Sequence, residues 1–144
     1  MPTYRVPYVE ISVPATPAFP TGRLVRRPVL SLTLRNARHR LSCYAIVDSG
    51  ADHCVFPRSF MQPLGLDALA APVDMTSGLG SSNVPTHFTD VTIDLQGLTQ
   101  FTVYAGFTIG LEQLGIGLLG QTGFFERFKI TFDYANRQYA VELP

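Results

Sequence analysis

Ala45-Ile46-Val47-Asp48-Ser49-Gly50-Ala51-Asp52 is the stretch on which the fold turns. An apolar run ends abruptly in a carboxylate, a hydroxyl and a glycine, which reads as a strand buried on both faces running into a tight turn. Asp48 is then delivered into the interior rather than to water. A buried carboxylate needs a partner or a chemical purpose.

Outward from this stretch the chain reads as short strands. Upstream, Val29-Leu30-Ser31-Leu32-Thr33-Leu34 alternates with period two, Arg35 to Arg40 is a polar turn, and Leu41 to Val47 returns as the partner strand, so a hairpin feeds Asp48. Downstream, Val55-Phe56-Pro57 is extended and Arg58 to Leu66 is expected to be a short helix stopped near Gly65. Val73 to Thr89 holds a glycine-rich tip, Ser77 to Asn83, between two strands, a hairpin able to move. Another hairpin turns at Gln96-Gly97, joining Val91, Ile93 and Leu95 to Phe101, Val103 and Ala105. Ile116 to Gly120 is a second strand apolar on both faces, followed by an expected short helix from Gln121 to Phe128. Lys129 to Tyr134 and Gln138 to Leu143 form a closing hairpin. Roughly ten short strands and two short helices make the chain mostly β.

The N-terminal region carries a short alternating strand within Tyr4 to Val13 and a Pro/Thr/Gly-rich loop from Ala15 to Gly22. Residues 1–27 are expected to be a strand and arm, part of or appended to a domain spanning residues 28–144. The arm could form dimer strands with Gln138 to Leu143 or cover the active site as a pro-segment.

With 144 residues, 46% of them hydrophobic, the chain is one domain long and can bury a sizeable core. Formal charge is zero, which makes a nucleic-acid partner unexpected. Prolines 2, 7, 14 and 17 interrupt the N-terminus, so no signal peptide is read, and no apolar run is long enough for a membrane span; a cytoplasmic protein is expected. Cys43 and Cys54 read as buried free thiols. His39, His53 and His87 lack metal-ligand spacing, so neither a metal nor a cofactor is expected.

Taken together, Asp48-Ser49-Gly50-Ala51-Asp52 after an apolar strand, the glycine-rich hairpin, Leu118-Leu119-Gly120 and the closing strands resemble the retropepsin-like aspartic peptidases, the single-domain, retroviral-type family that includes stand-alone bacterial members. The resemblance covers about Pro28 to Leu143. It implies a closed, barrel-like single lobe with short helices, active as a symmetric dimer. It also implies an endopeptidase that uses Asp48, with Ser49 hydrogen-bonding across the dimer axis, Gly50 allowing close approach, and Ala51 and Asp52 contacting the substrate main chain. Ser77, Gly78, Leu79, Gly80 and Ser81 would be the flap, and Leu118, Leu119 and Gly120 would support the loop. Many relatives place Arg directly after that glycine, where it can pair with the second Asp; this chain has Gln121, so Asp52 would lack an ionic partner.

The same destination follows from carboxylate chemistry. One carboxylate alone hydrolyses amides poorly, whereas two held close cannot both ionise, so one serves as acid while the other activates water. The chain has a single Asp-Ser-Gly, so the second carboxylate is expected from Asp48 of another subunit, in a C2 dimer. The expected partners are therefore a second copy and a peptide or protein substrate, bound as an added strand with Leu79, Ile46 and Phe107 or Ile109 as apolar walls. A catalytically silent, dimeric peptide-binding or assembly module on the same fold is the alternative. A serine or cysteine hydrolase would need His53 beside Cys54, and neighbours in a strand face opposite ways.

Overall fold

The alternation in Val29 to Leu34 is realised, with Leu30, Leu32 and Leu34 all buried. In the computed structural model, which describes residues 2–77 and 83–144, twelve strands follow in order: β1 (Thr3–Pro7), β2 (Val9–Val13), β3 (Arg23–Arg27), β4 (Val29–Asn36), β5 (His39–Val47), β6 (Val55–Pro57), β7 (Val73–Thr76), β8 (Val84–Asp94), β9 (Gln100–Thr108), β10 (Gly117–Leu119), β11 (Lys129–Asp133) and β12 (Gln138–Glu142). The chain is mostly β, as its patterning implies. Two compact units divide it, Met1–Val29 with Phe128–Pro144, and Leu30–Arg127.

In the first unit β12 is central, paired antiparallel with β1 on one side and β11 on the other. Tyr139 and Val141 are its buried residues, and the Tyr139 hydroxyl donates to the Val29 carbonyl at 2.7 Å, so the ring is buried without stranding its polar end. Asp133 caps the β11–β12 turn by accepting from the Asn136 main-chain N–H and side-chain amide. β2 and β3 form a separate hairpin tied by a Glu10–Arg26 ion pair. The stretch expected as an arm thus carries three strands, and β1 pairs with the C-terminal strand within one chain.

The second unit is a seven-stranded sheet of order β4-β5-β10-β6-β9-β8-β7, in which β4 also pairs with β8 through Thr33–Arg35. One feature of that order positions the site. β10 lies between β5 and β6, parallel to the first and antiparallel to the second, with Leu118 opposite both Ile46 and Val55. The segment joining β5 to β6 must therefore cross over the end of β10, a gap of two strand spacings, or about 9–10 Å. That segment begins at Asp48.

Three local expectations are corrected. β5 is not buried on both faces: Cys43, Ala45 and Val47 point inward while Tyr44 is 59% exposed and Ile46 is half-buried, as a strand of period two requires when one face meets the core. Arg58 to Leu66 is no helix but a single 3-10 turn at Arg58–Phe60 followed by further turns, because Pro63 has no N–H to donate and Gly65 sits at φ 65°. Gln121 to Phe128 is also a series of turns. Gly123 at φ 100° takes the chain out of helical space, and the Phe125 and Glu126 N–H groups reach back to Gly120 and Gln121. No helix is long and apolar enough to cross a membrane among the described residues.

Candidate active site

Asp48 leaves the end of β5 with its N–H bonded to the Leu119 carbonyl at 3.0 Å, so the loop begins on the support of β10. It then folds back on itself. The Gly50 N–H donates to Asp48 Oδ1 at 2.9 Å and the Ala51 N–H to the Asp48 carbonyl at 3.2 Å, a turn closed by both the side chain and the main chain. Past Gly120 the chain runs against the far side of the loop. The Gln121 N–H donates to the Ala51 carbonyl at 2.8 Å, the Thr122 N–H donates to the Asp52 carbonyl at 2.9 Å, and the Gln121 side chain donates to the Ser49 carbonyl at 2.9 Å.

Glycine at position 120 is required by this crossing. A Cβ there would collide with the carbonyl oxygens of Ala51 and His53, which belong to the backbone and cannot rotate away. Leu119, fully buried, fills the space beneath, while Cys54 lies behind the loop with its thiol 3.7 Å from the Thr122 carbonyl. Burial pushes the Cys54 thiol up to about 11 and the Cys43 thiol up to about 12, which keeps both protonated and unreactive.

A cavity of about 290 Å³ opens over the loop. Asp48, Gly50, Ala51 and Asp52 line it from the loop, Leu118 from β10, and Asp74 to Ser77 from β7 and its continuation. Asp48 is half-buried and Asp52 exposed, so the lone chain does not enclose the Asp48 carboxylate as the strand-into-interior reading expected; it lies at the wall of an open cleft. Ser49 is exposed and does not line the cavity. Of the expected flap, Ser77 lines the cavity, and Gly78, Leu79, Gly80 and Ser81 lie outside the described residues.

Several lining residues were not anticipated from the sequence. His53, Val55, Asp74, Met75 and Phe88 all face the cavity, whereas the expected walls Ile46, Phe107 and Ile109 do not. Phe107 is instead a core residue beside Phe56, and Ile109 opens onto a different depression with Arg58 and Glu112. The register explains Phe88: at the start of β8 Thr86 and Phe88 alternate inward, and this alternation presents Phe88 to the His53 ring, edge-on at 5.3 Å. His53 Nδ1 is buried with no hydrogen-bond partner. Among the described residues no cluster of three or more His, Cys, Asp or Glu side chains has the geometry to hold a metal ion.

The family model described as aspartyl protease matches residues 39–122, more than half of the chain and the whole of the β5–loop–β10 arrangement. The chain belongs to the aspartyl protease family. A solved structure of a retropepsin-like aspartic protease from Rickettsia conorii matches at a TM-score of 0.61 and 17% identity, over 99% of this chain and 94% of that one. At that identity the likeness is one of fold, and the fold of this aspartyl protease family member is retropepsin-like. No curated protein matches the chain.

Proposed function

We propose that the protein is an aspartic endopeptidase, hydrolysing peptide bonds between two Asp48 carboxylates contributed by the two subunits of a homodimer. The observation that carries this reading is the placement of Asp48: a carboxylate held by the Gly50 N–H at the wall of a cavity, on a loop clamped by two parallel strands, in a chain of the aspartyl protease family. In the dyad one carboxylate is protonated and one ionised. The ionised group takes a proton from water as its oxygen attacks the carbonyl carbon, and the protonated group supplies the proton that the departing amine needs.

Two of the other carboxylates are committed away from the site. Asp94 is committed to Arg35, the Gly97 N–H and Gln100, and Asp133 caps the β11–β12 turn. Asp52 and Asp74 share the cavity, and both are exposed. In the dimer Ser49, at the exposed outer edge of the turn, would bond across the axis, and residues 77–81 would close over the peptide as a flap.

The test compares wild type, Asp48→Asn and Asp74→Asn on a mixed peptide library, over a dilution series with the solution mass measured at each point. The expected result is cleavage by wild type, a loss of at least about a hundredfold in Asp48→Asn, and specific activity that falls as the dimer dissociates. Equal cleavage by wild type and Asp48→Asn would remove Asp48 from the chemistry. Activity from a strict monomer, abolished by Asp74→Asn, would place the dyad within one chain, and a wild type that binds peptides without cutting them would make the protein a silent binding module.

A further inference from the structure

Gln121 stands where the family resemblance would put an Arg able to pair with Asp52, and its side chain goes elsewhere. Nε2 donates to the carbonyl of Ser49 at 2.9 Å. The significance lies in which peptide unit that carbonyl belongs to. Ser49 C=O and Gly50 N–H are the two ends of one trans peptide plane, and the Gly50 N–H is the group that donates to Asp48 Oδ1 at 2.9 Å. A planar peptide holds its C=O and N–H rigidly opposed, so tilting the plane to release one bond misdirects the other. The chain of contacts from the Gln121 amide through the Ser49–Gly50 peptide to the Asp48 carboxylate is therefore mechanically continuous.

We infer that Gln121 is a positioning residue for Asp48, acting through the Ser49–Gly50 peptide plane. The inference rests on the aspartic peptidase reading for its kinetic consequence, but its structural content stands apart from it. The remaining contacts of the loop are main chain to main chain: Asp48 N–H to Leu119, Gln121 N–H to Ala51 and Thr122 N–H to Asp52 fix its two ends, and Ala51 N–H to Asp48 closes the turn without touching the Ser49 carbonyl or the Gly50 N–H. The exposed peptide between Ser49 and Gly50 is held from outside by the Gln121 side chain and from inside by the carboxylate it orients.

A neutral amide does this differently from a cation. It adds no charge to the rim of a cavity that already contains three carboxylates, Asp48, Asp52 and Asp74. Hydrogen bonds arranged in series also polarise one another, so withdrawing density at Ser49 O sharpens the Gly50 N–H as a donor. Both bonds are exposed, and water competes for each, so their net contribution to global stability is small. The effect belongs to the orientation of Asp48, and a variant that merely loosened the fold would behave otherwise.

The experiment uses Gln121→Met, close to Gln in shape without its donor, and Gln121→Glu, close in shape and unable to donate at neutral pH. Three quantities are read in the full-length protein: kcat and KM on a cleaved peptide, the thermal midpoint, and the amide-proton shift and exchange rate of Gly50 relative to Ala51. The expected result is a kcat lowered by up to about a hundredfold, the scale of a misplacement of about 1 Å, with KM and the thermal midpoint little changed and Gly50 shifted upfield and exchanging faster. Wild-type kcat and an unmoved Gly50 resonance in both variants would overturn the inference, as would a kcat loss matched by an equal loss of folded protein. If wild type proves to have no peptidase activity the functional reading fails, and the Gly50 resonance alone then decides: moved in the variants, it sustains the relay, and unmoved, it ends it.

Discussion

Leu119 and Asp48 are joined main chain to main chain, the Asp48 N–H donating to the Leu119 carbonyl at 3.0 Å, while the Leu119 side chain is fully buried beneath the loop. The residue that fills the core and the residue that receives the loop are thus one and the same. Leu119→Ala is expected to cost about 2–5 kcal/mol, the range for truncating a buried leucine. Chemical denaturation would measure it. A cost below about 1 kcal/mol would mean that the loop does not rest on this packing.

Gly120→Ala meets a harder obstacle, because the added Cβ strikes two backbone carbonyls, those of Ala51 and His53. Relief requires moving the Asp48 loop or β10 itself. Destabilisation of roughly 1–3 kcal/mol is expected, as for overpacking elsewhere, together with a loss of activity exceeding the loss of folded protein. A variant as stable and as active as wild type would show that the loop yields freely.

Much of this architecture was legible because it is local. The alternation of Leu30, Leu32 and Leu34 reports burial directly, and Gln96-Gly97 announces the β8–β9 turn, where both residues take positive φ. What was hidden is what depends on distant pairing. No pattern in residues 117–119 says that they insert between β5 and β6; support of the Asp48 loop by Leu118, Leu119 and Gly120 was implied by the family resemblance alone, and without the insertion Gln121 has no visible reason to touch that loop. The two misread helices failed for backbone reasons, Pro63 with Gly65 in one and the positive φ of Gly123 in the other. Asp74 and Phe88 lie in plainly readable strands. Their joint placement at one cavity is set by the sheet order, which composition and periodicity do not encode.

Alkaline pH should destabilise the fold through its two thiols. Burial pushes Cys43 up to about 12 and Cys54 up to about 11, against 9.0 for the free group. Between those values the unfolded chain has released protons that the native state still holds, so stability is complete below about pH 9 and declines as pH rises toward 11 and beyond. Cys43→Ala and Cys54→Ala should each flatten the decline in thermal midpoint across this range. In native protein near pH 8 both thiols should resist alkylation, and both should react once denatured. Rapid modification of the native protein would contradict their burial.

Asp94 anchors the β8–β9 turn. It is 6% exposed and accepts from Arg35, from the Gly97 N–H and from the Gln100 side chain, which gathers one β4 residue and both sides of the turn onto a single carboxylate. Asp94→Ala leaves those donors unmatched, and a loss of about 1–3 kcal/mol is expected, discounted from a fully buried pair because Arg35 is partly in solvent. Arg35→Ala should cost less, since the Gly97 and Gln100 donors still satisfy the carboxylate. Equal costs for the two variants would mean that the ion pair, rather than the turn, carries the effect.

The charge of the cavity should appear in substrate preference. Asp48, Asp52 and Asp74 line it together with His53, no Lys or Arg is among the described lining residues, and the three ion pairs of the described chain engage other carboxylates, those of Glu10, Asp94 and Glu142. A peptide with an acidic side chain beside the scissile bond meets repulsion of the order of 1 kcal/mol per charge at close range in a solvent-like dielectric. It should therefore bind several-fold more weakly than its amide counterpart, and a basic side chain should bind more tightly by a similar factor. Because the cleft is open to water, the discrimination should shrink as ionic strength rises from about 0.1 M to about 1 M and the screening length falls from about 10 Å to about 3 Å. Asp74→Asn should narrow the gap between the acidic and basic peptides. KM measured for a matched set of acidic, neutral and basic peptides at the two salt concentrations checks all three statements. A ranking that ignores charge, or one that does not respond to salt, would assign selectivity instead to the apolar wall of Val55, Met75, Phe88 and Leu118.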